Sequence, residues 1–147
     1  MGQPAQTFKT PGNWVNDIAA FHTKFGVNTA IQKLDADKLR TFLKFRIDFL
    51  QEELDEMKAA YNKEPGQAAE DVVDALIDLC VVAIGTLNAF NVDSQLAWSR
   101  VDEKNMMKMV GVNPNRPNLL GLPDLIKPAG WQSPSHSDNV GLLSKLF

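Results

Sequence analysis

Six acidic side chains fall in two short clusters whose spacing indicates a shared chemical role. The clusters consist of Glu52, Glu53 and Glu56, and of Asp71, Asp74 and Asp78. Because residues three and four apart share one face of an α-helix, each cluster forms an acidic stripe if its segment is helical. The second stripe interrupts an apolar run over 72–90, and buried carboxylates are costly unless a cation or hydrogen bonds compensate them. Two such stripes facing each other therefore predict a divalent metal site.

The acids differ in how far each one points toward the predicted core. A rotation of about 100° per residue places Glu53 nearest the apolar seam of its helix, Glu56 beside it and Glu52 toward the rim. Hard oxygen ligands suit Mg²⁺ or Mn²⁺ and leave positions for water or phosphate. The predicted metal ligands are Glu53, Glu56, Asp71 and Asp74. A solvated acidic face on two surface helices is the alternative, but it explains Asp74 and Asp78 poorly because their neighbours are apolar.

A di-iron centre also uses carboxylates from facing helices. It needs a glutamate followed three positions later by a histidine. His22 and His136 are the only histidines, and neither follows a glutamate at that spacing. The sequence therefore excludes this kind of centre.

Length, charge and cysteine content limit the classes of protein to which this chain can belong. The chain has 147 residues, 44% of them hydrophobic, and a net charge of −3, which predicts a soluble domain with a real core and no nucleic-acid partner. Cys80 is the only cysteine, so no disulfide can form within the chain and a cytoplasmic location is expected. The N-terminal residues show no basic segment before an apolar stretch, so we expect no signal peptide. Asp74 and Asp78 favour a buried core helix over a membrane span.

Four helices and an irregular tail are predicted to position the acids, within a single all-α domain over 1–147. The helices span about 14–25, 38–61, 67–90 and 94–109, and form a helical core over about 14–110. Expected N-caps are Asn13, Asp37 and either Asp93 or Ser94, and expected stops are Gly26 and Asn91. The third helix is apolar nearly all round, which predicts burial at the centre of a bundle. Its valines and isoleucines are also compatible with a β-strand, but its length and the spacing of its acids favour a helix.

Apolar seams and one turn define how the first three helices pack. The seams consist of Trp14, Ile18, Phe21 and Phe25 in the first helix, and of Leu39, Leu43, Ile47, Leu50, Leu54, Met57 and Tyr61 in the second. A turn at 62–66 makes the second and third helices antiparallel neighbours, so that the two acidic stripes can face each other. The tail beyond Gly111 is rich in proline and glycine yet apolar, and we expect it to wrap over the bundle or a neighbouring subunit. A last short helix is expected over 141–147.

The ordered set of motifs resembles the all-α nucleoside triphosphate pyrophosphohydrolases, the MazG-like and phosphoribosyl-ATP pyrophosphohydrolase-like superfamily. Their pattern is E-E-x-x-E, a spacer and E-x-x-D, matched here by 52–56 and 71–74. Further similar segments are 21–26 in the first helix, 74–86 in the third, 105–108 (N-x-x-K) in the fourth and 127–131 (K-P-x-G-W) in the tail. Asp71 stands where the family usually has glutamate, and Glu70 is the alternative ligand.

The resemblance implies a four-helix MazG-like bundle that hydrolyses a nucleoside triphosphate to the monophosphate and pyrophosphate. It implies Mg²⁺ or Mn²⁺ as cofactor and a homodimer or tetramer with shared sites. Glu52 is the candidate for positioning or deprotonating the attacking water, and Glu53 or Glu56 could exchange roles with it. Implied substrate contacts are Asn105, Lys108, Lys127 and Asp78.

The base is less well defined by the sequence than the phosphates. Trp14 and Phe21 could stack on it, with Asn13, Asn16 or His22 reading its edge. A deoxynucleotide is expected, with a slight preference for a purine. A non-catalytic bundle, either an adaptor or an oligomerisation module with structural acids, is the alternative function. Only the enzyme predicts pyrophosphate release that depends on Glu53 and Asp74.

Overall fold

The computed structural model describes residues 12–64, 66 and 68–147 and is predominantly helical. Its elements are α1 (Trp14–Lys24), α2 (Val27–Ile31), α3 (Ala36–Tyr61), α4 (Ala69–Ala89), α5 (Ser94–Met106), β1 (Met109–Gly111), β2 (Asp124–Ile126) and a final 3₁₀ helix (Gly141–Lys145). This confirms the all-α class and the last short helix. Two short features were not predicted, namely α2 and the pair of strands. The N-terminal segment for which we expect no signal peptide lies outside the described residues.

The helix boundaries follow from local capping. Asn13 accepts hydrogen bonds from two backbone N–H groups of the first turn of α1, as predicted, and Gly26 is left-handed with φ 70°. The expected cap Asp37 is wrong, because the side chain of Asp35 accepts from the Lys38 N–H. Asp37 instead lies in the first turn, where a negative charge suits the helix dipole. Asn91 adopts a positive φ of 59° just after α4, which confirms it as a stop.

The chain forms two compact units, one comprising the residues up to Val92 together with 140–147, and the other 93–139. In the first unit, Leu39 of α3 and Phe90 after α4 are fully buried and form the centre of the core. The C-terminal segment completes this core, since Leu146 is buried against it. The Arg40 side chain donates to the Leu146 carbonyl at 2.7 Å, and the Leu142 N–H donates to the Phe90 carbonyl at 2.7 Å. The chain end is thereby anchored in the first unit.

Helix α4 is covered on one side only, which corrects the prediction that it is buried all round. Its buried side carries small residues and valine, namely Ala75, Val82, Gly85 and Ala89. The opposite side exposes Val73, Leu76, Ile77 and Val81. Within its unit α4 packs against α1, α2 and α3, and these helices leave the second face open. By length and composition α4 is also apolar enough to cross a membrane, a property that core helices of soluble proteins share.

The predicted apolar seams are only partly buried. In α1 the buried side chains are Ile18 and His22, whereas Trp14, Phe21 and Phe25 are each more than half exposed. In α3 Leu39 is buried, while Ile47 and Tyr61 are exposed. The remaining seam positions of α3, Leu43, Leu50, Leu54 and Met57, are half-buried. Few neighbouring elements cover these long helices, so a regular apolar spacing does not produce full burial.

The second unit contains α5 and a small antiparallel sheet. Asp93 caps α5 by accepting from the Leu96 N–H, as predicted. The helix ends at Met106 instead of Met109, because 109–111 pair with 124–126 in the register Val110↔Leu125. No long element is described in the tail over 107–140, as its proline and glycine content predicted.

Candidate functional site

The two acidic stripes meet because α3 and α4 are antiparallel. Near the start of α3, Arg46 contacts Thr86 close to the end of α4. Further along α3, Glu53 and Asp78 line one pocket, and near its end Ala60 shares a pocket with Ala75. The contacts thus run in opposite directions along the two helices. The prediction that the stripes lie on neighbouring antiparallel helices is confirmed by this order.

Three of the predicted metal ligands line one small pocket. Glu56 of α3 lies opposite Asp71 and Asp74 of α4 in a pocket of about 250 Å³, here called the acidic pocket. All three carboxylates are exposed to solvent. Lys63, on the connection between the helices, also lines this pocket and forms an ion pair with Asp71. The lysine ammonium is therefore a cation already positioned among the acids.

Glu53 and Asp78 belong to a second pocket farther along the helices. This inner pocket has a volume of about 230 Å³. Its lining residues are Phe21, His22, Arg46, Phe49, Glu53, Asp78, Val81 and Val82. It combines apolar walls with two carboxylates, an imidazole and a guanidinium, which is a suitable composition for a small polar ligand.

The buried carboxylate of Glu53 is the electrostatic centre of the two stripes. Only 7% of the residue is exposed. Burial raises the pKa of Glu53, and the nearby carboxylates add to this shift. In decreasing order of effect these neighbours are Glu56, Asp78, Glu52 and Asp74. An acid that is buried and surrounded by other acids needs either a proton or a cation.

Arg46 supplies a positive charge to the inner pocket. Its Nε donates to the Thr86 hydroxyl and its Nη2 to the Val82 carbonyl, both at 2.9 Å. Burial lowers the pKa of Arg46. A Cβ added to Gly85 would lie 3.0 Å from both Arg46 Nη2 and His22 Nε2. The glycine therefore leaves the space that these two side chains occupy beside α4.

His22 is a buried member of a polar network that joins α1, α2 and α4. Its Nδ1 lies 3.1 Å from Asn88 Oδ1, which also accepts from Asn28 Nδ2 at 2.9 Å. Because an amide oxygen can only accept, His22 donates from Nδ1 and its Nε2 carries a lone pair. Burial lowers the pKa of His22, the bond with Asn88 opposes this shift, and Arg46 adds to it. The buried side-chain oxygen of Asn28 has no hydrogen-bond partner among the described residues.

The composition of the site fits a hard divalent cation. Its donors are all carboxylate oxygens, and a lysine already neutralises one of them. Among residues 12–64, 66 and 68–147, however, no three His, Cys, Asp or Glu side chains are close enough to hold an ion as they stand. The acids are divided between the acidic pocket and the inner pocket. Metal binding would therefore require side-chain rotation, and Glu56, Asp71 and Asp74 are the three predicted ligands that line one pocket.

Glu52 lies outside both pockets, on the solvent side of α3. It is exposed and lines a groove of about 530 Å³ together with Glu56. The other lining residues, Asp48, Gln51, Asp55 and Ala59, all belong to the same helix. Glu52 is nevertheless close enough to Glu53 to raise the pKa of that residue. The predicted rim position of Glu52 is what the structure shows.

The other predicted substrate contacts belong to both units. Asn105 and Lys108 belong to the second unit at the end of α5, where the Lys108 N–H donates to the Asn105 carbonyl at 3.1 Å. Lys127 follows β2 in the same unit. Trp14 begins α1 with 57% of its surface exposed and is not among the residues that line the acidic or the inner pocket. Its role in binding stays a prediction.

Sequence reasoning missed Lys63, Arg46 and the asparagine pair. Arg46 lies seven residues before Glu53, on the same helical face, and this spacing could have identified it. Asn88 is a polar residue inside the apolar run of α4, which is a weaker signal. Lys63 carried no signal, since a lysine in a turn is ordinarily solvated.

The structure is thus an all-α bundle with carboxylate stripes on two adjacent antiparallel helices. The family model of phosphoribosyl-ATP pyrophosphohydrolase matches residues 20–105. The chain belongs to this family, within the MazG-like all-α NTP pyrophosphohydrolase superfamily. It is accordingly a pyrophosphohydrolase acting on a nucleotide triphosphate-like substrate. A search of curated proteins found no match.

Proposed function

We propose that this chain hydrolyses a (deoxy)nucleoside triphosphate to the monophosphate and pyrophosphate with the help of Mg²⁺ or Mn²⁺, and so adjusts a nucleotide pool. The observation that carries the proposal is the position of Glu53, a buried acid flanked by carboxylates of both stripes. Such a concentration of negative charge on two packed helices is unfavourable without cations. A metal–triphosphate complex supplies them.

The acidic pocket is the proposed place for the metal. Glu56, Asp71 and Asp74 would hold it, with Glu53 completing the set from the buried side. Bound Mg²⁺ would polarise the phosphoryl oxygens and lower the pKa of a water molecule. Lys63 is then released from Asp71, and its ammonium becomes available to the phosphates.

Glu52 is the proposed general base of the hydrolysis. It lies on the solvent rim beside Glu53, where water has free access. In the proposed step Glu52 orients a water molecule and takes its proton while the oxygen attacks the α-phosphorus. The bond to the oxygen that bridges the α- and β-phosphorus atoms breaks, and pyrophosphate leaves.

The inner pocket is the proposed place for the base of the nucleotide. Phe21 and Phe49 offer aromatic surface, and His22 and Arg46 offer polar edges. A pocket of about 230 Å³ fits a planar ring better than a complete nucleotide. The expected preference for a purine deoxynucleotide stays a proposal at this pocket.

A second copy of the chain is the proposed cover for the exposed side of α4. Val73, Ile77 and Val81 recur at intervals of four, Leu76 follows Val73 by three, and together they form one apolar stripe. Exposed apolar stripes of this kind mark protein interfaces. The proposal of a homodimer or tetramer rests on this stripe and on the family resemblance. The proposed cytoplasmic location rests on the single cysteine, Cys80.

The test is a pyrophosphate-release assay with all eight common NTPs and dNTPs and phosphoribosyl-ATP, each with Mg²⁺ or Mn²⁺. The expected result is release from at least one nucleotide and loss of release in Glu53→Gln and Asp74→Asn, with helical circular dichroism unchanged. Asp55→Asn, on the outer face of α3, is the matched control. A fully folded protein that releases no pyrophosphate from any member of the panel would favour the non-catalytic bundle.

A further inference from the structure

The imidazole of His22 is held in one hydrogen-bonding state by a pair of asparagines in the first unit. Its Nδ1 donates to Asn88 Oδ1 at 3.1 Å, and the side-chain amide of Asn28 donates to the same oxygen at 2.9 Å. Because this oxygen accepts two hydrogen bonds, a half-turn of the Asn88 amide would break both of them. Only 4% of His22 is exposed, so water offers the ring little alternative. The asparagine pair therefore keeps the lone pair of the ring on Nε2.

Arg46 places hydrogen-bond donors beside that accepting nitrogen. A Cβ added to Gly85 would lie 3.0 Å from both His22 Nε2 and Arg46 Nη2, so the two nitrogen atoms lie near the same point of α4. The guanidinium is anchored to Thr86 and Val82, and these two bonds use two of its five N–H groups. Both His22 and Arg46 line the inner pocket. The pocket thus presents an acceptor and a donor side by side.

Hydrogen-bond acceptors predominate among the polar groups of the inner pocket. Glu53 and Asp78 add carboxylate oxygens to the lone pair of His22, and the donors come from Arg46. Such a set favours a ligand edge that is rich in N–H groups. An amino group carries two N–H donors, whereas a carbonyl oxygen in its place would face other lone pairs. A polar group left unpaired in a partly buried site loses binding free energy.

We propose that His22 and Arg46 select a nucleobase that bears an amino group, and that Asn88 and Asn28 are positioning residues that fix the accepting nitrogen of His22. The amino group of adenine, cytosine or guanine would donate to His22 Nε2. Each of these bases also has a ring nitrogen next to its amino group, and this nitrogen would accept from Arg46. Uracil, thymine and hypoxanthine lack the amino group. The inference rests on the proposed function, because it concerns the base of the same substrate.

The selectivity is tested by calorimetry with α,β-imido nucleotide analogues, whose α–β bridge resists hydrolysis, in the presence of Mg²⁺. Two matched pairs replace an amino group by a carbonyl at one position of the base, namely the analogues of dCTP and dUTP and those of dATP and dITP. In every pair that binds, we expect the amino member to bind about tenfold more tightly or better. This measurement requires no turnover of the substrate.

The positioning role is tested by substitution of the asparagines. Asn88→Asp has the same shape but places a negative charge at Nδ1, which favours a second proton on the ring. Both ring nitrogens then donate, and we expect the preference for amino bases to be lost. Asn28→Ala leaves the Asn88 amide free to turn, and we expect a smaller preference. Asn62→Ala is the matched control, because the Asn62 amide donates to the Lys58 carbonyl at the end of α3, and it should keep the preference.

Nitrogen-15 NMR of the imidazole at pH 8 shows directly which ring nitrogen carries the proton. We expect Nδ1 of His22 to carry it in the wild type and in Asn62→Ala. Melting temperatures are recorded for all variants. If Asn28→Ala does not fold, the wild-type spectrum and Asn88→Asp still decide the outcome.

Four results would overturn the inference: a wild-type proton on Nε2 of His22, binding of no analogue, a carbonyl member that binds as tightly as its amino partner, or an unchanged preference in Asn88→Asp. Failure here is distinct from failure of the proposed function. A chain that releases pyrophosphate from nucleotides without regard to the amino group contradicts only the selection of the base. A chain that prefers the amino analogues but releases no pyrophosphate from the corresponding nucleotides contradicts the proposed function.

Discussion

Lys63, on the connection between α3 and α4, forms an ion pair with Asp71, the first acid of the α4 stripe. The pair lies in the pocket that Glu56 and Asp74 also line. A side chain of the protein therefore occupies the position in which the proposed reaction requires a divalent cation. Metal and lysine compete for the same carboxylate, and the strength of that competition can be measured.

We expect Lys63→Gln to bind Mn²⁺ more tightly than wild type in the absence of nucleotide. Both partners are about half exposed, 49% for Lys63 and 48% for Asp71, so the ion pair is weak and the gain should be about two- to fivefold. Mn²⁺ titration followed by electron paramagnetic resonance measures the affinity. Lys58→Gln is the matched control, because Lys58 pairs with Asp55 outside the acidic pocket. Equal affinity in wild type and Lys63→Gln would show that the lysine does not compete with the metal.

Glu53→Gln should separate stability from activity. Because burial and the surrounding acids raise the pKa of Glu53 above its ordinary value, the neutral form is favoured in the folded state. Protonated Glu53 therefore stabilises the fold at pH values below the ordinary pKa of glutamate, and this stabilisation is lost as the pH rises through the raised pKa. At pH 7 with EDTA, Glu53→Gln should therefore melt a few degrees higher than wild type, yet lose pyrophosphate release. Glu52→Gln removes only one of the smaller neighbouring charges, so it should raise the melting temperature less than Glu53→Gln does. A lower melting temperature in Glu53→Gln would contradict this account.

Because of His22, we expect the free energy of unfolding to decrease as the pH falls. Since burial lowers the pKa of His22, the neutral imidazole is favoured in the fold. This contribution is present above about pH 6.5, the ordinary pKa of histidine, and is lost as the pH falls through the lowered value. Urea unfolding between pH 5 and pH 8 should show the loss in wild type and a flatter profile in His22→Gln. A His22→Gln profile as steep as that of wild type would contradict this account.

Gly85→Ala should destabilise the fold although alanine favours helices. The new Cβ would lie 3.0 Å from Arg46 Nη2 and from His22 Nε2, and neither group is free to move because each is hydrogen-bonded. Overpacking of this kind costs about 1–3 kcal/mol, measured by urea unfolding. In a His22→Ala background the imidazole is absent, so the same substitution should cost less. An increase in stability in Gly85→Ala would show that the two side chains move aside easily.

The exposed stripe of α4 predicts the assembly state. Ile77→Lys places a charge in the middle of that stripe, and we expect sedimentation velocity to change from an oligomer to a monomer. Lys33→Glu, at an exposed position outside α4, should leave the oligomer intact. A concentration-independent monomer in the wild type would contradict the proposed dimer.

Local residue spacing is enough to predict the elements that carry the chemistry. Helical periodicity is local, so the spacing of Glu53 and Glu56 and of Asp71 and Asp74 already placed each pair on one helical face. The short connection between α3 and α4 made them antiparallel, and local capping by Asn13 and Asp93 set two helix starts. These features depend on residues a few positions apart, which a reader of the sequence can see.

Which of these side chains are buried, and what they contact, depends on the packing of elements that are far apart in sequence. His22 and Asn88 are 66 residues apart in sequence, and Arg46 reaches Thr86 over 40 residues. No local pattern encodes such contacts, because they depend on how far each helix is covered by its neighbours. The same limit explains why α4, apolar nearly all round, still exposes one side. The spacing of residues along a helix predicts which of them share a face, whereas the packing of neighbouring elements determines whether that face is buried.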